Sequence, residues 1–289
     1  MNFLYGFKQD PVKPSNPVLH NFQMNSPDFK VLTFDVAGTL IDFETGILNW
    51  FQPHLEQLDL EVDEEEILNA FAKTEAHYLK ILPKSSFTGL LPVIYSDMMR
   101  SWGFSPGEDE GIYFQESVKD WPPFSDTIEA LKELKKNFTL VAVSNCDSSY
   151  LEWMSSSVGH PFDTMICSDM VGANKPDPRL FTQVLKRLES QGFKQEEILH
   201  VAQSQFHDIV PVSKLGWSSA WIHRRFNRPG FGATPAPYRM VKPTFNLQSL
   251  NELVDLLHKQ LEDGRQKREG TFSPVSYTHL RAHETRRYR

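Results

Sequence analysis

The sequence contains 289 residues, of which 40% are hydrophobic and 12% are aromatic, enough for one large domain or two modest ones with a substantial core. The net charge is −7, and because the residues from Gly264 onward hold seven Lys or Arg against two Glu, the preceding residues carry about −12. This charge argues against a nucleic-acid-binding surface, and the sequence has no apolar run of membrane-spanning length, so neither nucleic acid nor a membrane is an expected partner.

Two cysteines are present, Cys146 and Cys167, and they do not form a CxxC pair. A disulfide framework or a zinc site is therefore not expected, and a reducing compartment, the cytoplasm, is predicted. Residues 1–27 contain four prolines, among them Pro11, Pro14 and Pro17, and show neither a secretory nor a transit-peptide pattern. They are interpreted as an N-terminal extension.

The first predicted element is a buried strand at residues 31–34, which runs directly into Asp35. Gly38 allows a tight turn after the strand, and Thr39 lies beside it. Because ligands in open α/β sheets bind at the carboxyl ends of strands, Asp35 is a candidate nucleophile. An aspartate that only caps the turn is the alternative.

A helical region follows from Phe43 to about Pro123. Residues 63–82 place apolar side chains on a period of 3.6 residues, and residues 90–104 continue this pattern. The sequence therefore predicts an α-helical insertion at residues 44–123.

After the insertion, strand-like and helix-like segments alternate. A helix is predicted within residues 121–137 with Ser125 as its N-cap. The other predicted strands are 138–145, 164–169, 198–204 and 218–224, and the other predicted helices are 177–193, 208–217 and 246–263. This alternation predicts parallel βαβ units, and hence an α/β fold with a doubly wound, Rossmann-like parallel sheet at residues 28–43 and 124–260.

Residues 261–289 are predicted to be a disordered tail, because apolar periodicity is absent from Gly264 onward. The final residues are interpreted as non-native sequence, and a genuine basic tail is the alternative.

Polar residues also stand at or just beyond the ends of three later strands: Ser144 with Asn145, Lys175, and Asp208. If these strand ends converge, the lysine would keep the pKa of Asp35 low, and Ser144 and Asn145 could donate hydrogen bonds to an anionic oxygen. Asp208 could orient Lys175, hold a cation or bind the hydrolytic water. Taken singly, each residue could instead be a helix cap or part of a solvated loop.

The segments "FDVAGTLID", "PPFSDTIEALKELKKNFTLVAVSN", "KPDPRLF" and "LGWSSAWIHR" resemble the haloacid dehalogenase superfamily, and within it the type II L-2-haloacid dehalogenases, over nearly all of residues 29–257. The resemblance implies that the helical insertion is a cap and that Asp35 displaces halide from C2 of a small 2-haloacid, giving an ester that water hydrolyses. It also implies that no metal or other cofactor is required. The remaining residues that match the family's site positions are Thr39, Ser144, Asn145, Lys175 and Asp208.

Ala37 occupies the place where phosphatases of this superfamily carry a second aspartate. That aspartate protonates the leaving alkoxide and then deprotonates the hydrolytic water, and such assistance is worth a factor of ~10²–10⁴. A methyl group can do neither, whereas a halide that leaves from carbon needs no proton. Ala37 therefore favours displacement at carbon.

Two features depart from the family pattern. No Lys or Arg lies between Val31 and Lys73, although the family places an arginine early in the cap to hold the substrate carboxylate or the halide. In addition, the residues just before Asp208 lack the usual motif and read "VAQSQFH". His207 in this segment is interpreted as a packed residue rather than a catalytic base.

These departures leave two alternatives open. One is a catalytically silent binding or scaffold protein that keeps the fold. The other is a magnesium-dependent phosphatase in which Asp35 and Asp208 would be the carboxylate ligands. A small molecule is the expected partner, and the oligomeric state stays open between a monomer and a homodimer.

Overall fold

The computed structural model of the chain describes residues 28–270. Within this range six parallel strands form one sheet, β1 (Val31–Phe34), β2 (Thr139–Ser144), β3 (Thr164–Cys167), β4 (Ile198–Ala202), β5 (Ser218–Ile222) and β6 (Phe245–Leu247). Their order in the sheet is β3-β2-β1-β4-β5-β6, with every neighbouring pair parallel. The order reverses at β1, which confirms the predicted doubly wound sheet.

Ten α-helices connect and flank these strands in the described part of the chain. They are α1 (Phe43–Gln57), α2 (Glu64–Ile81), α3 (Phe87–Ser101), α4 (Glu110–Glu116), α5 (Thr127–Leu134), α6 (Ser148–Ser157), α7 (Ser168–Val171), α8 (Pro178–Glu189), α9 (Val210–Lys214) and α10 (Leu250–Gly270). Both faces of the sheet are buried, because Leu32 and Phe34 pack into one apolar cluster and Val31 packs into another. Alternate residues of one strand thus serve two cores, as strands covered on both faces require.

The helices α1 to α4 all lie in the connection between β1 and β2, and this segment is called the helical insert below. Its interior is aromatic, with the rings of Phe51 and Phe114 5.2 Å apart and the ring of Tyr95 5.5 Å from Phe51. A backbone hydrogen bond joins the insert to the sheet, since the N–H of Phe87 at the start of α3 donates to the carbonyl of Asn145 at 2.7 Å. The start of α3 is therefore fixed beside the carboxyl end of β2.

The structure differs from the sequence prediction at the start of α5. Ser125 was expected to be the N-cap, but the helix begins one residue later than that expectation requires, and Asp126 is the N-cap residue. The Asp126 carboxylate does not cap the helix. It accepts hydrogen bonds from Arg224 and from the backbone N–H of Leu250, both at 2.8 Å, so tertiary partners take the group that would have served the helix.

Three further differences concern elements without a strong local pattern. The strand β6 and the helix α6 were not predicted, and β6 occupies residues that had been assigned to the last helix. That helix, α10, continues through Gly264 to Gly270, so the predicted boundary of a disordered tail at residue 261 is wrong for the residues that the structure describes. The predicted extension at residues 1–27 and the rest of the tail, 271–289, lie outside the described residues. None of the helices in residues 28–270 combines the length and the apolarity needed to cross a membrane.

Gly46 marks a close contact between α1 and the end of the insert. A Cβ atom at this position would lie 2.3 Å from the indole ring of Trp121. We expect Gly46→Ala to lower the free energy of unfolding by ~1–3 kcal/mol, because overpacking outweighs the higher helix propensity of alanine. Denaturant titration would measure this change.

The control is the same substitution combined with Trp121→Leu. If the clash is the cause, the double variant should lose clearly less stability than the sum of the two single changes. Additive losses would contradict this explanation.

Candidate active site

The candidate site lies at the carboxyl edge of the sheet, where β1 and β4 are neighbours but their chain connections lead in opposite directions. Asp35 follows β1, Ser144 ends β2, Lys175 lies in the loop before α8, and Asp208 lies in the turn after β4. Such a switch point leaves a crevice between the two connections. The residues that the sequence analysis singled out therefore meet at one point.

Lys175 is the centre of this group, and it is 1% exposed. Its ammonium group donates to Asp35 Oδ1 at 2.7 Å, to Asp208 Oδ1 at 2.8 Å and to the carbonyl of Val143 at 3.0 Å. All three N–H bonds are thus used. The lysine joins the ends of three strands through one buried charge.

Asp35 is held on both of its oxygens. Oδ1 accepts from Lys175, and Oδ2 accepts from the hydroxyl of Thr39 at 2.6 Å. The Thr39 oxygen in turn accepts the backbone N–H of Gln203 at 2.8 Å. These contacts fix the orientation of the carboxylate, while each oxygen keeps a second lone pair that could attack a substrate.

Asn145 was expected to donate a hydrogen bond to an anionic oxygen, but its side chain binds the backbone of Lys175. Its amide oxygen accepts the backbone N–H of Lys175 at 2.7 Å, and its Nδ2 donates to the Lys175 carbonyl at 3.0 Å. This reciprocal pair holds the lysine backbone. Ser144 accepts the N–H of Cys146 at 3.2 Å, so the hydroxyl hydrogen of Ser144 stays available for a ligand.

Asp208 is completely buried and belongs to a chain of polar groups that runs under the sheet edge. Its Oδ1 also contacts His200 Nε2 at 3.0 Å, and His200 Nδ1 contacts the hydroxyl of Thr33 at 2.8 Å. Asp208 Oδ2 is buried and has no hydrogen-bond partner within residues 28–270. This oxygen could accept a hydrogen bond from a water in the site.

The two aspartates share one cation, and their pKa values move in opposite directions. Burial, with the charge of Asp208, raises the pKa of Asp35, and the charge of Lys175 and the hydrogen bonds from Lys175 and Thr39 only partly oppose this. The expectation that the lysine keeps this pKa low is therefore not met. Burial acts on Asp208 as well, but Lys175 and His200 outweigh it and lower the pKa of Asp208. The two carboxylates also raise the pKa of Lys175 despite its burial, so the ammonium stays charged.

A cavity of about 40 Å³ adjoins these groups, and Asp35 and Ala37 both line it. It also contains two titratable side chains that the sequence analysis did not place in the site, Glu75 from α2 and His207 from the turn before α9. The distance between His207 Nε2 and Glu75 Oε1 is 3.8 Å. A signal for Glu75 existed in the sequence, because it is a lone acid on the face of α2 that otherwise buries Ile67, Leu68, Phe71 and Ala72.

The comparison with protein families agrees with this arrangement. A family model described as haloacid dehalogenase-like hydrolase matches residues 32–222, about two thirds of the chain. The chain belongs to the haloacid dehalogenase-like hydrolases. The matched range runs from the first strand to the last residue of β5 and includes Asp35, Ser144, Lys175 and Asp208.

Curated relatives include both dehalogenases and phosphatases. The (S)-2-haloacid dehalogenase 4A of Burkholderia cepacia is 22% identical over 80% of this chain and 96% of its own length. The phosphoglycolate phosphatase of Aquifex aeolicus is 27% identical over 80% of this chain and 98% of its own length. The Rhythmically expressed gene 2 protein of Drosophila melanogaster is 28% identical, but the match covers 36% of this chain and 43% of that protein. The relatives thus support a hydrolase without deciding between the two reactions.

Among solved structures, the L-2-haloacid dehalogenase of Xanthobacter autotrophicus with chloropropionic acid covalently bound has a TM-score of 0.65. The match is 19% identical and covers 80% of this chain and 98% of that chain. At this identity the likeness shows the fold, α/β with a parallel sheet, and confirms the fold class predicted from the sequence.

Lys175 offers a direct test of the buried cluster. We expect Lys175→Met to lower the free energy of unfolding by ~3–5 kcal/mol near neutral pH, because two buried carboxylates lose their cation. Without the lysine, the pKa of both aspartates in the folded state should lie above that in the unfolded state. Stability should then be regained as the pH is lowered toward about 5, where the carboxylates take up protons.

Denaturant titration of Lys175→Met at several pH values would measure both effects. Lys186→Met is the matched control, because Lys186 is exposed on α8. A loss of similar size in the control, or a loss that does not depend on pH, would contradict the role given to Lys175.

Glu75 generates a second stability prediction. Burial, with a contribution from the charge of Asp35, raises the pKa of Glu75 from 4.5 to about 8. The folded protein therefore keeps a proton that the unfolded chain releases, and the associated stability is fully present below pH 4.5 and is lost as the pH rises toward about 8. We expect Glu75→Gln to remove this decline, which should amount to a few kcal/mol.

The measurement is the free energy of unfolding between about pH 5 and about pH 9 for the parent protein and for Glu75→Gln. Glu66→Gln is the control, since Glu66 is exposed on the same helix. The same decline in the parent protein and in Glu75→Gln would be inconsistent with a buried, protonated Glu75.

Proposed function

We propose that the protein is a hydrolase that uses Asp35 as its nucleophile and displaces halide from C2 of a small 2-haloacid through an aspartyl-ester intermediate. The observation that carries this proposal is the environment of Asp35. Its carboxylate is held on both oxygens at the wall of the cavity, and Ala37 offers a methyl group there instead of an acid. The chain also resembles the (S)-2-haloacid dehalogenase 4A of Burkholderia cepacia over 96% of that protein's length.

In the first step an oxygen of Asp35 attacks C2, and the halide leaves with the electron pair of the carbon–halogen bond. No proton is needed, because halide is a stable anion. Whichever oxygen attacks, the other keeps a donor from Lys175 or from Thr39. The carboxylate is thereby held in a fixed direction for in-line attack, which lowers the entropic part of the barrier.

In the second step water attacks the carboxyl carbon of Asp35. The oxyanion that forms lies beside the Lys175 ammonium group, which stabilises negative charge in a water-poor site. Oδ2 of Asp208 is the free acceptor that can orient the water. Collapse of the intermediate breaks the ester bond and restores Asp35 with one oxygen taken from water. One proton of the water passes to the leaving alkoxide and gives the 2-hydroxyacid, and the other is released to solvent.

A magnesium-dependent phosphatase is the alternative supported by the Aquifex aeolicus relative. The donor set is poor for a magnesium ion, because the Lys175 ammonium group already compensates part of the negative charge of Asp35 and Asp208. Within residues 28–270 no three His, Cys, Asp or Glu side chains are grouped so that they could hold a metal. We also propose that the helical insert acts as a cap over the site. A catalytically silent scaffold is a further alternative, and a turnover experiment separates it from an enzyme.

The decisive prediction concerns isotope transfer at Asp35. In a single turnover of 2-chloropropionate in H₂¹⁸O with enzyme in excess, we expect the label in the peptide that contains Asp35 and not in the first lactate released. Water attacks the enzyme ester rather than the substrate, so its oxygen stays on the aspartate. Mass spectrometry of the peptide and of the product would measure both positions.

Asp35→Asn is the blank for this experiment, with circular dichroism to show that the variant is folded. Labelled product with an unlabelled peptide would rule out Asp35 as nucleophile. Hydrolysis of a phosphate ester that is abolished by EDTA, without chloride release from 2-chloropropionate, would favour the phosphatase. No turnover of either substrate class would favour the silent scaffold.

A further inference from the structure

The cavity beside Asp35 has no free cation to bind the carboxylate of a haloacid. Among the described residues that line it, Lys175 is the one cation, and its three N–H bonds are already used by Asp35, Asp208 and Val143. A buried anion without a compensating group is strongly disfavoured. The substrate carboxylate must therefore find a donor of another kind.

The two arginines that follow β5 are directed elsewhere. Arg225 donates to Glu44 and, at 2.6 Å, to Glu65. Arg224 donates to Asp126 at 2.8 Å and to the carbonyl of Thr39 at 3.0 Å. Neither lines the cavity. Arg225 joins the loop after β5 to the helical insert, and Arg224 joins it to the turn after β1 and the start of α5. Neither replaces the arginine that the family resemblance led us to expect in the cap.

Glu75 is the polar group that the helical insert brings to the cavity. Its side chain is 4% exposed, and its carboxyl group makes no hydrogen bond to any residue between 28 and 270. The face of α2 that carries it packs inward through Leu68 and Phe71, which lie seven and four residues before it. The helix therefore points this carboxyl group into the cavity and cannot turn it toward solvent without exposing its apolar face.

The groups that face Glu75 keep it protonated at neutral pH. Burial and the negative charge of Asp35 raise its pKa to about 8. The helices α1 and α3 contribute Phe43 and Phe87 to the cavity wall, and neither of these titrates. The titratable residues on the opposite wall are Asp35, Cys146, Lys175, His207 and Asp208.

His207 lies beside Glu75, and it does not remove the proton of the Glu75 carboxyl group. Burial lowers the pKa of His207 to about 4, so the imidazole is neutral under the conditions in which Glu75 is a neutral acid. Its Nε2 atom is buried without a hydrogen-bond partner in the described part of the chain, 3.8 Å from Glu75 Oε1. The imidazole thus borders the carboxyl group on one side and limits its orientations.

We propose that Glu75 binds the carboxylate of the substrate by donating its carboxyl proton, and so takes the place of a cationic side chain. This inference rests on the proposed function, because it assigns the second anchoring point of the same substrate. Two carboxyl groups that share one proton form a strong, charge-assisted hydrogen bond, whereas two ionised ones repel each other. The hydroxyl of Ser144 is a further donor at the cavity wall.

The size of the cavity favours a short acid. A water needs ~10–15 Å³ of such volume, so about 40 Å³ corresponds to roughly three water positions. A two- or three-carbon 2-haloacid matches this space best. Its carboxylate would lie against Glu75 while C2 faces Asp35 across the cavity.

The first test uses a pair of substrates that differ in charge, 2-chloropropionate and 2-chloropropionamide, and follows chloride release. For the acid we expect kcat/KM to fall about tenfold per pH unit above about pH 8, through a rise in KM, because ionised Glu75 repels the substrate. For the amide we expect less than about a twofold change over the same range. In Glu75→Gln the fall should disappear, since the amide group remains a neutral donor, and Glu66→Gln on the same helix should keep it.

The second test does not require turnover and uses propionate, which has no leaving group. Calorimetric titration should give a dissociation constant that rises at least tenfold between about pH 7 and about pH 9.5 in the parent protein and stays constant in Glu75→Gln. Such pH-dependent binding without chloride release from either substrate would keep this subsite and overturn the proposed dehalogenation.

Chloride release combined with propionate binding that does not depend on pH would overturn the subsite and keep the dehalogenation. The same pH dependence in Glu75→Gln as in the parent protein would also overturn it. If Glu75→Gln alters the fold, which circular dichroism would detect, Glu75→Asp serves as the second variant. It keeps the ionisable group, so the proposal then requires the fall in acid turnover at high pH to persist with a shifted midpoint.

Discussion

The arrangement of the site depends on one buried cation. Lys175 is 1% exposed and donates to two carboxylates and a carbonyl that come from three different strands. Burial of a lysine is strongly unfavourable unless every donor is paired, so this contact can form only when the strand ends are in register. The same charge that satisfies Asp35 and Asp208 also keeps them close together, and it thereby defines where a substrate could meet Asp35, the proposed nucleophile.

Other polar groups hold Lys175 and its partner Asp208 in place. Asn145 binds the lysine backbone on both its N–H and its carbonyl, so the loop before α8 cannot move independently of the end of β2. His200 and Thr33 support Asp208 from beneath the sheet edge. A network in which nearly every member is paired is rigid, and rigidity is what in-line attack by a carboxylate requires.

The helical insert completes the site from the other side. At the sheet edge, position 37 carries an alanine and not an acid. On the opposite side, α2 places the carboxyl group of Glu75 at the cavity, where burial favours its neutral form. The two positions differ in the part of the fold that carries them. An acid at position 37 would lie on the same turn as Asp35, whereas Glu75 belongs to the insert, so its place in the cavity depends on how the insert packs against the sheet.

The sequence by itself was sufficient to predict the strands β1 to β5 and the residues at the centre of the site. Buried strands that end in Asp35, in Ser144 and shortly before Asp208 are local patterns, and parallel strands necessarily bring their carboxyl ends to one edge. The order of these residues along the chain therefore predicted their convergence. The predicted strands β1 to β5 and the helical insert all appear in the structure for this reason.

Tertiary structure alone decided the remaining features, because they depend on partners that are distant in sequence. Periodicity showed that Glu75 lies on the buried face of α2, but not that this face meets the cavity beside Asp35. The N-cap residue of α5 is Asp126, and its side chain accepts a hydrogen bond from Arg224, which is 98 residues away in the sequence. The strand β6 is three residues long and is defined by its pairing with β5 rather than by its own pattern. Local patterns specify which face of an element is buried, whereas only the packed fold specifies what that face contacts.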